Sequence, residues 1–436
     1  MEKVLYQGCL DILNEELMEA LGCTEPIAVA YASAKAREVL GVMPEKCTVR
    51  CSGNIVKNVK AVIVPNSGGL KGIDVAATLG IVGGNPNRAL QVLESVTPDD
   101  IKRTNQMLAN SFCTCELEKD VDNLYVAVTL TAGIHTSLVE IQEYHTNITR
   151  IEKDGKVLLD KKKAAEKKRG TGTDRSILNI RSILQFADEL ELEDVELVLD
   201  RQIRDNSEIS AEGLAKPYGV QVGRTLMARA EQSQGLAKTI LQARATAAAG
   251  SDARMGGCSL PVVINSGSGN QGITITMPVV VFAKYWKISW DVMLRALALA
   301  DLISIHQKKY IGSLSAYCGA SSAATGAACG VAYMLLNQKK QTDRIYPVIC
   351  DTITNSIGTI SGMVCDGAKS SCAMKISVAI ENAMEALELA LENNVYQKGE
   401  GITMSNIEDT ICAVGRMARV GMKSTDVEIL NIMLGH

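Results

Sequence analysis

The hydrophobic pattern of this chain changes once, close to residue 175, and that change limits the folds open to it. Before this point, alternating and β-branched segments such as LYVAVTLTAG (124–133) and KVLLD (156–160) predict strands, with Asp154-Gly155 as a hairpin turn. From residue 176 onward, apolar residues recur at the spacing of an amphipathic helix, as in VAIENAMEALELALENN (378–394). The sequence therefore predicts an α+β fold whose sheet lies in the first part of the chain.

The length of 436 residues allows more than one hydrophobic core, so we expect two domains. Residues 1–175 are predicted to form an α+β domain with leading helices and a mixed or antiparallel sheet. Residues 176–436 are predicted to form a mostly helical catalytic domain, with the functional site at the interface. We further expect helix in LDILNEELMEAL (10–21), strands in TVRCSGNIVKNVKAVIVP (48–65) and a solvated basic connector in KKKAAEKKRG (161–170).

Charge and hydropathy argue against several classes of protein. A net charge of −4 disfavours nucleic-acid binding, and the longest apolar stretches fall short of the roughly 20 residues that span a bilayer. The N-terminal sequence MEKVLYQGCLDILNEEL lacks the basic and apolar regions of a signal peptide. We expect a cytoplasmic homo-oligomer that binds neither nucleic acid nor membrane and keeps its 13 cysteines mostly reduced.

Four cysteines lie in polar or glycine-containing breaks rather than in apolar segments. Cys23 precedes Thr24-Glu25-Pro26, where the start of a helix would lower the pKa of the thiol. Cys318 lies in GSLSAYCGASSAATG, and Cys365 and Cys372 enclose CDGAKSSC. Three thiolates with an open position suit an iron–sulfur cluster better than a structural zinc site, which takes four ligands. Because C-x6-C is not a standard cluster spacing, spacing alone leaves buried thiols and a metal site both open.

The glycines of INSGSGNQGITIT (264–276) fit the dinucleotide pattern GxGxxG, but that pattern requires a helix after the loop. The next residues, ITITMPVVVFA (273–283), are β-branched, apolar and interrupted by Pro278, so they do not read as that helix. Two interpretations remain: a tight junction that only glycine permits, or a nest of backbone N–H groups that binds a carboxylate. The polar side chains of this nest are Ser266, Ser268, Asn270 and Gln271. Similar chemistry occurs in NSGGLKG (66–72), which contains Asn66, Ser67 and Lys71.

Read together, LGCTEPIAVA, NSGSGNQGI, YCGASSAATGAACG and CDGAKSSCAMK resemble the L-cysteine desulfidase family over essentially the whole chain. These enzymes are iron–sulfur lyases related to the iron–sulfur L-serine dehydratases. The resemblance implies a [4Fe-4S] cluster held by Cys318, Cys365 and Cys372, with Cys23 as the catalytic base. It also implies β-elimination of L-cysteine to hydrogen sulfide, pyruvate and ammonia, with the substrate thiolate bound to the open iron. The substrate's carboxylate and ammonium are expected to contact the nest, the loop of Asn66, Ser67 and Lys71, and Glu25.

Other functions remain open at this point. The related serine dehydratases carry a serine-rich, histidine-containing motif where this chain has GCTEP, which favours the desulfidase over an iron–sulfur L-serine or L-threonine dehydratase. A non-catalytic cysteine-binding sensor and a nucleotide-binding oxidoreductase are alternatives of another class. Pyridoxal phosphate is disfavoured because no lysine lies beside a convincing phosphate-binding loop. The four histidines are read as structural or exposed, with His306 an outside candidate for the pocket, and Asp366 and Lys369 as either tuning groups or a solvated pair.

Overall fold

The fold is that of a computed structural model, which describes residues 1–161, 172–312 and 314–435. Most of the basic run 161–170 and His436 therefore lie outside the described residues. The elements of the first part are α1 (Lys3–Glu16), β1 (Glu19–Leu21), α2 (Thr24–Leu40), β2 (Lys46–Cys51), α3 (Gly53–Val59), α4 (Ile73–Gly83), α5 (Pro98–Ala109), β3 (Cys113–Leu117), β4 (Tyr125–Ala132), β5 (His135–Gln142), β6 (Ile148–Lys153) and β7 (Lys156–Asp160). The later elements are α6 (Ile180–Glu189), α7 (Glu196–Ala215), α8 (Val222–Glu231), α9 (Gly235–Met255), β8 (Pro261–Val263), α10 (Gly269–Trp286), α11 (Trp290–Ile311), α12 (Gly319–Gln338), α13 (Ile345–Ile360), α14 (Cys372–Leu391), α15 (Ile407–Arg416) and α16 (Lys423–Leu434).

The main sheet has six strands in the order β3-β2-β4-β5-β6-β7. β2 and β3 are parallel and the other neighbours are antiparallel, so the predicted α+β fold with a mixed sheet is confirmed. Asp154 and Gly155 both have positive φ (51° and 76°) and join β6 to β7, as the hairpin prediction requires. α2 packs on the sheet, where Ser137 of β5 donates a hydrogen bond to the carbonyl of Ala36 at 2.9 Å.

Two predicted segments of the first part are wrong in detail. Within 48–65 the strand ends at Cys51, and Ser52 then caps a short helix by accepting a hydrogen bond from the amide of Ile55 at 3.4 Å. The predicted helix 10–21 ends at Glu16, and Glu19–Leu21 pairs antiparallel with β8. In both places a local polar or tertiary contact outweighs the apolar pattern that guided the prediction.

The later part is helical, as predicted, and is arranged around α12. This helix packs against α10, α11, α13 and α14. Its small residues permit close approach: a Cβ on Gly326 would lie 2.4 Å from the carbonyl oxygen of Ala300 in α11. Among the described residues, α12 alone is long and apolar enough to cross a membrane, and 89% of its apolar window is buried inside the protein.

The segment 273–283 is helical, which corrects the sequence interpretation. It forms most of α10, and Pro278 lies inside the helix. The hydroxyls of Thr274 and Thr276 donate to the carbonyls of Asn270 and Gly272, four residues earlier, so these polar groups are satisfied within the helix. The strand before the loop, β8, is antiparallel to β1, whereas a dinucleotide-binding unit uses parallel strands.

One cluster of buried apolar side chains extends through both parts of the chain. It includes Val49 and Val128 of the sheet together with Leu297 and Met334 of the helices. The two parts therefore share a continuous core, and the division at residue 175 stays a prediction.

Candidate active site

A cavity of about 110 Å³ lies where the GCTEP segment meets the helical part of the chain. Cys23, Glu25 and Asn58 line it from the first part of the chain. The later part contributes its remaining walls, including all three cysteines that the sequence pattern singles out: Cys318, Cys365 and Cys372. The cavity thus combines thiols, a carboxylate and several cations in one small space.

Backbone pairing brings the cysteine segments together. Cys318 immediately precedes α12, and its amide donates to the carbonyl of Met363 at 3.0 Å. The amide of Cys365 donates to the carbonyl of Ala316 at 2.6 Å, so the two segments run as a short antiparallel pair. Cys372 opens α14 at the far end of the CDGAKSSC loop. Three thiols from two distant segments therefore meet at the same cavity.

The cysteine thiols at the cavity are the kind of donor that an iron–sulfur cluster uses. In the ranges that the structure describes, no three His, Cys, Asp or Glu side chains are grouped as ligands of a single metal ion. Cys318, Cys365 and Cys372 all line the cavity, and burial together with the nearby Cys365 and Cys372 raises the pKa of Cys318 to about 12. Cysteine thiolates at such a cavity are the ligands that iron–sulfur clusters use.

Two lysines at the cavity add positive charge beside these thiols. Lys308 is buried and has no acidic partner among the described residues, and burial lowers its pKa to about 8. Lys375 also lines the cavity; it is ion-paired with Asp366 and donates to the carbonyl of Val364 at 2.6 Å. A buried cation is costly without a counter-charge. Lys308, which lies close to Cys318 and Cys365, therefore matches an anionic group held by the cysteines.

Cys23 and Glu25 form a hydrogen-bonded pair at the start of α2. The Cys23 thiol donates to Glu25 Oε2 at 3.0 Å. Burial and the adjacent Glu25 carboxylate raise the pKa of Cys23 well above its ordinary value, and Arg254 only partly offsets them. The prediction that the helix start lowers this pKa is therefore wrong, because removal from water and a neighbouring anion outweigh the helix dipole.

Glu25 itself stays ionised despite its burial. Burial raises its pKa, but contacts with His145, Cys23 and Arg254 together bring the value to about 2. Asn58 Nδ2 also donates to its Oε1 atom at 3.4 Å. Glu25 is therefore a buried anion on the cavity wall.

The nest of residues 264–272 contributes part of its predicted set. Ser268, Asn270 and Gln271 line the cavity where α10 begins. Ser266 does not: its hydroxyl donates to Asn265 Oδ1 at 2.9 Å. Gly267 has a positive φ of 76°, so the loop needs glycine there.

The other predicted loop points elsewhere. Asn66 donates to the carbonyl of Leu93 at 2.9 Å, and Ser67 donates to the carbonyl of Leu70 at 3.1 Å. Neither these residues nor Lys71 is among those that line the cavity. A glycine-rich loop with a lysine can equally serve its own turn geometry, and that is the role the contacts show here.

Several cavity groups escaped the sequence analysis: Asn58, Arg254, Lys308, Lys375 and, behind Glu25, His145. His145 lies in the turn between β5 and β6, is 8% exposed, and places Nε2 3.9 Å from Glu25 Oε1. Arg254 could have been noticed in the sequence, because it is a charged residue within the small-residue segment AAAGSDARM. His306 is buried and its Nε2 lies 2.7 Å from Glu408 Oε2, outside the cavity lining.

Asp301 is a buried acid that accepts a hydrogen bond from Asn265 of the nest. Its burial leads us to expect that the stability of the fold depends on pH. Its Oδ1 accepts hydrogen bonds from Asn265 at 2.9 Å and Gln202 at 3.1 Å, and burial raises its pKa to about 7. Since the unfolded state loses this proton near pH 4, the stabilisation is present below that pH and is lost as pH rises toward 7. Asp301→Asn should therefore gain on the order of 2–4 kcal/mol relative to the wild type between pH 4 and 8. Denaturant unfolding across this range tests it, and parallel pH curves for the two proteins would contradict it.

Comparison with known proteins identifies relatives of this chain. Residues 87–431 match the serine dehydratase alpha chain family, a family of iron–sulfur lyases. A "UPF0597 protein" of Lachnoclostridium phytofermentans is 46% identical over 430 residues, covering 99% of this chain and 100% of the relative. Proteins of the same name from Treponema denticola (40% identical; 100% of this chain, 99% of the relative) and Finegoldia magna (43%; 97% and 98%) are also similar. The family match includes Cys318, Cys365 and Cys372, and the chain belongs to the serine dehydratase alpha chain family.

Proposed function

We propose that this protein is an L-cysteine desulfidase, which eliminates sulfide from L-cysteine. The observation that carries the proposal is the presence of three thiols and the Cys23–Glu25 pair on one small cavity. Membership of the family supports the assignment as an iron–sulfur lyase, whereas the choice of L-cysteine as the substrate is part of our proposal. It follows from GCTEP, which stands where the related dehydratases have a serine-rich motif.

Cys318, Cys365 and Cys372 would hold a [4Fe-4S] cluster in this cavity. When bound, it would supply an iron without a cysteine ligand, a Lewis acid that polarises the substrate's sulfur and makes sulfide a better leaving group. Lys308 and Lys375 would balance the negative charge of the thiolates. Asp366 would hold Lys375 in place through its ion pair, while Lys369 pairs with the same carboxylate.

The chain's own residues would perform binding and proton transfer. Glu25 would bind the substrate ammonium, since it is the buried anion of the cavity wall. A substrate that enters with a neutral amine would take the Cys23 thiol proton through Glu25 Oε2, to which that thiol is hydrogen-bonded, and so become the ammonium paired with Glu25. The Cys23 thiolate left behind would then accept the Cα proton. Loss of sulfide leaves 2-aminoacrylate, which water converts to pyruvate and ammonia.

The substrate is tested by comparing L-cysteine with L-serine on anaerobically reconstituted protein. We expect sulfide and pyruvate in equal amounts from L-cysteine, with kcat/KM at least 100-fold above that for L-serine, since the proposed site is matched to sulfur. A ratio in favour of L-serine would make the protein an iron–sulfur serine dehydratase. Binding of L-cysteine without sulfide release would indicate a sensor.

A further inference from the structure

Arg254 is a buried cation with an unfilled binding capacity. It lies in the last turn of α9, is 2% exposed and lines the cavity. Its Nε donates to the carbonyl of Gly22 at 2.9 Å, and among the described residues no carboxylate lies within ion-pair distance of the guanidinium. A guanidinium removed from water is stable only with a hydrogen-bonded counter-charge. The position therefore suits an anion that forms the hydrogen-bonded pair with the guanidinium that no described carboxylate forms.

The surroundings of Arg254 suit a carboxylate. The first turn of α10 packs directly against it, because a Cβ on Gly269 would lie 2.5 Å from Arg254 Nε. The N-terminus of α10, with its unpaired amides, therefore lies beside the guanidinium and adds to the positive potential. Asn270 Oδ1 and Gln271 Oε1 are also buried and accept no hydrogen bond from the described residues, so they could accept from a donor such as the ammonium of the same ligand.

Glu25 lies on the wall of the same cavity as Arg254 and indicates how such a ligand is oriented. Arg254 is close enough to lower the pKa of Glu25, yet it forms no ion pair with it among the contacts of the described residues. Cation and anion thus face the same space without neutralising each other. An α-amino acid, with its ammonium and carboxylate on one carbon, bridges two such groups, while its side chain is left for the three thiols.

We propose that Arg254 binds the α-carboxylate of the substrate and so restricts the site to α-amino acids. The inference rests on the proposed function, since it assumes an amino-acid substrate in this cavity. A planar guanidinium can bind a carboxylate through two parallel hydrogen bonds, which lysine cannot reproduce. Arg254 is therefore a specificity-determining residue.

The test uses two partial substrates on the cluster-loaded protein. 3-Mercaptopropionate has the thiol and carboxylate of cysteine without the ammonium, and cysteamine has the thiol and ammonium without the carboxylate. Arg254→Met should weaken 3-mercaptopropionate binding about 100-fold and leave cysteamine binding within about twofold. Arg254→Lys should lose about tenfold for 3-mercaptopropionate. Anaerobic calorimetry measures both affinities.

Arg244→Met is the matched control, because Arg244 is buried in the same helix but pairs with Ser377 and Glu381 outside the cavity lining. Its folded form should bind both probes like the wild type, and iron content should be unchanged in every variant. Equal weakening of both probes in Arg254→Met, or no weakening of either, overturns the role of Arg254. If the wild type binds neither probe nor L-cysteine, the proposed function itself fails.

Discussion

Replacing Cys365 with serine should remove both the bound cluster and sulfide release from L-cysteine. Cys365 lines the cavity together with Cys318 and Cys372, and the loss of one thiolate leaves too few ligands to retain the iron. We expect turnover to fall at least 1000-fold, to the background of the assay. Iron and acid-labile sulfide per chain, measured under anaerobic conditions, check the cause of that loss.

Cys412→Ser provides the comparison for this experiment. Cys412 is exposed on α15 and does not line the cavity, so its variant should keep the iron, the sulfide and the activity of the wild type. A Cys365→Ser protein with full iron content and full turnover would remove Cys365 from the ligand set.

Replacing Cys23 with alanine should lower kcat by a factor of about 100 to 10,000, the range that a general base contributes. The cluster content should stay at the wild-type level, because the three proposed ligands remain. The change removes the hydrogen bond from the Cys23 thiol to Glu25. Thr24 and Asn58 also donate to this carboxylate, so they should keep it in place. Single-turnover pyruvate formation together with iron content separates a loss of chemistry from a loss of metal.

Cys258→Ala is the control for the loss of a buried thiol. Cys258 is 5% exposed and absent from the cavity lining, so its removal should leave kcat unchanged. An unchanged kcat in Cys23→Ala would exclude Cys23 as the base, and a loss of iron in that variant would make it a ligand.

The sequence predicts the sheet well where local patterns decide the structure. The strands on either side of Asp154-Gly155 are joined by a tight turn that suits the two residues found there, so neighbours along the chain are also neighbours in space. The prediction for 273–283 was wrong because its β-branched residues are buried among helices, where packing overrides propensity. Its threonine hydroxyls are satisfied by the helix's own carbonyls, which no pattern of apolar residues reveals.

The cavity could be predicted only in part for a similar reason. Cys318, Cys365 and Cys372 stood out because they lie in polar breaks, and the resemblance of their motifs assigned them a role. Arg254, Lys308 and His145 lie in ordinary helix or turn sequence, and only the fold brings them beside Glu25 and the thiols. Conversely, Lys71 lies in a sequence that resembles a binding loop, yet the fold places it outside the cavity lining. Residue type indicates which chemistry a side chain can perform, and the fold decides whether that side chain lies at the cavity.

The central claim is that the three-cysteine cavity holds a cluster that acts on L-cysteine. It is tested most directly on one anaerobic preparation of the reconstituted chain, by its visible spectrum, its iron and sulfide content, and sulfide release from L-cysteine. We predict a brown protein with about four iron and four sulfide per chain, which releases one sulfide for each pyruvate formed. A colourless protein without iron after reconstitution, or a loaded protein that leaves L-cysteine intact, would contradict it.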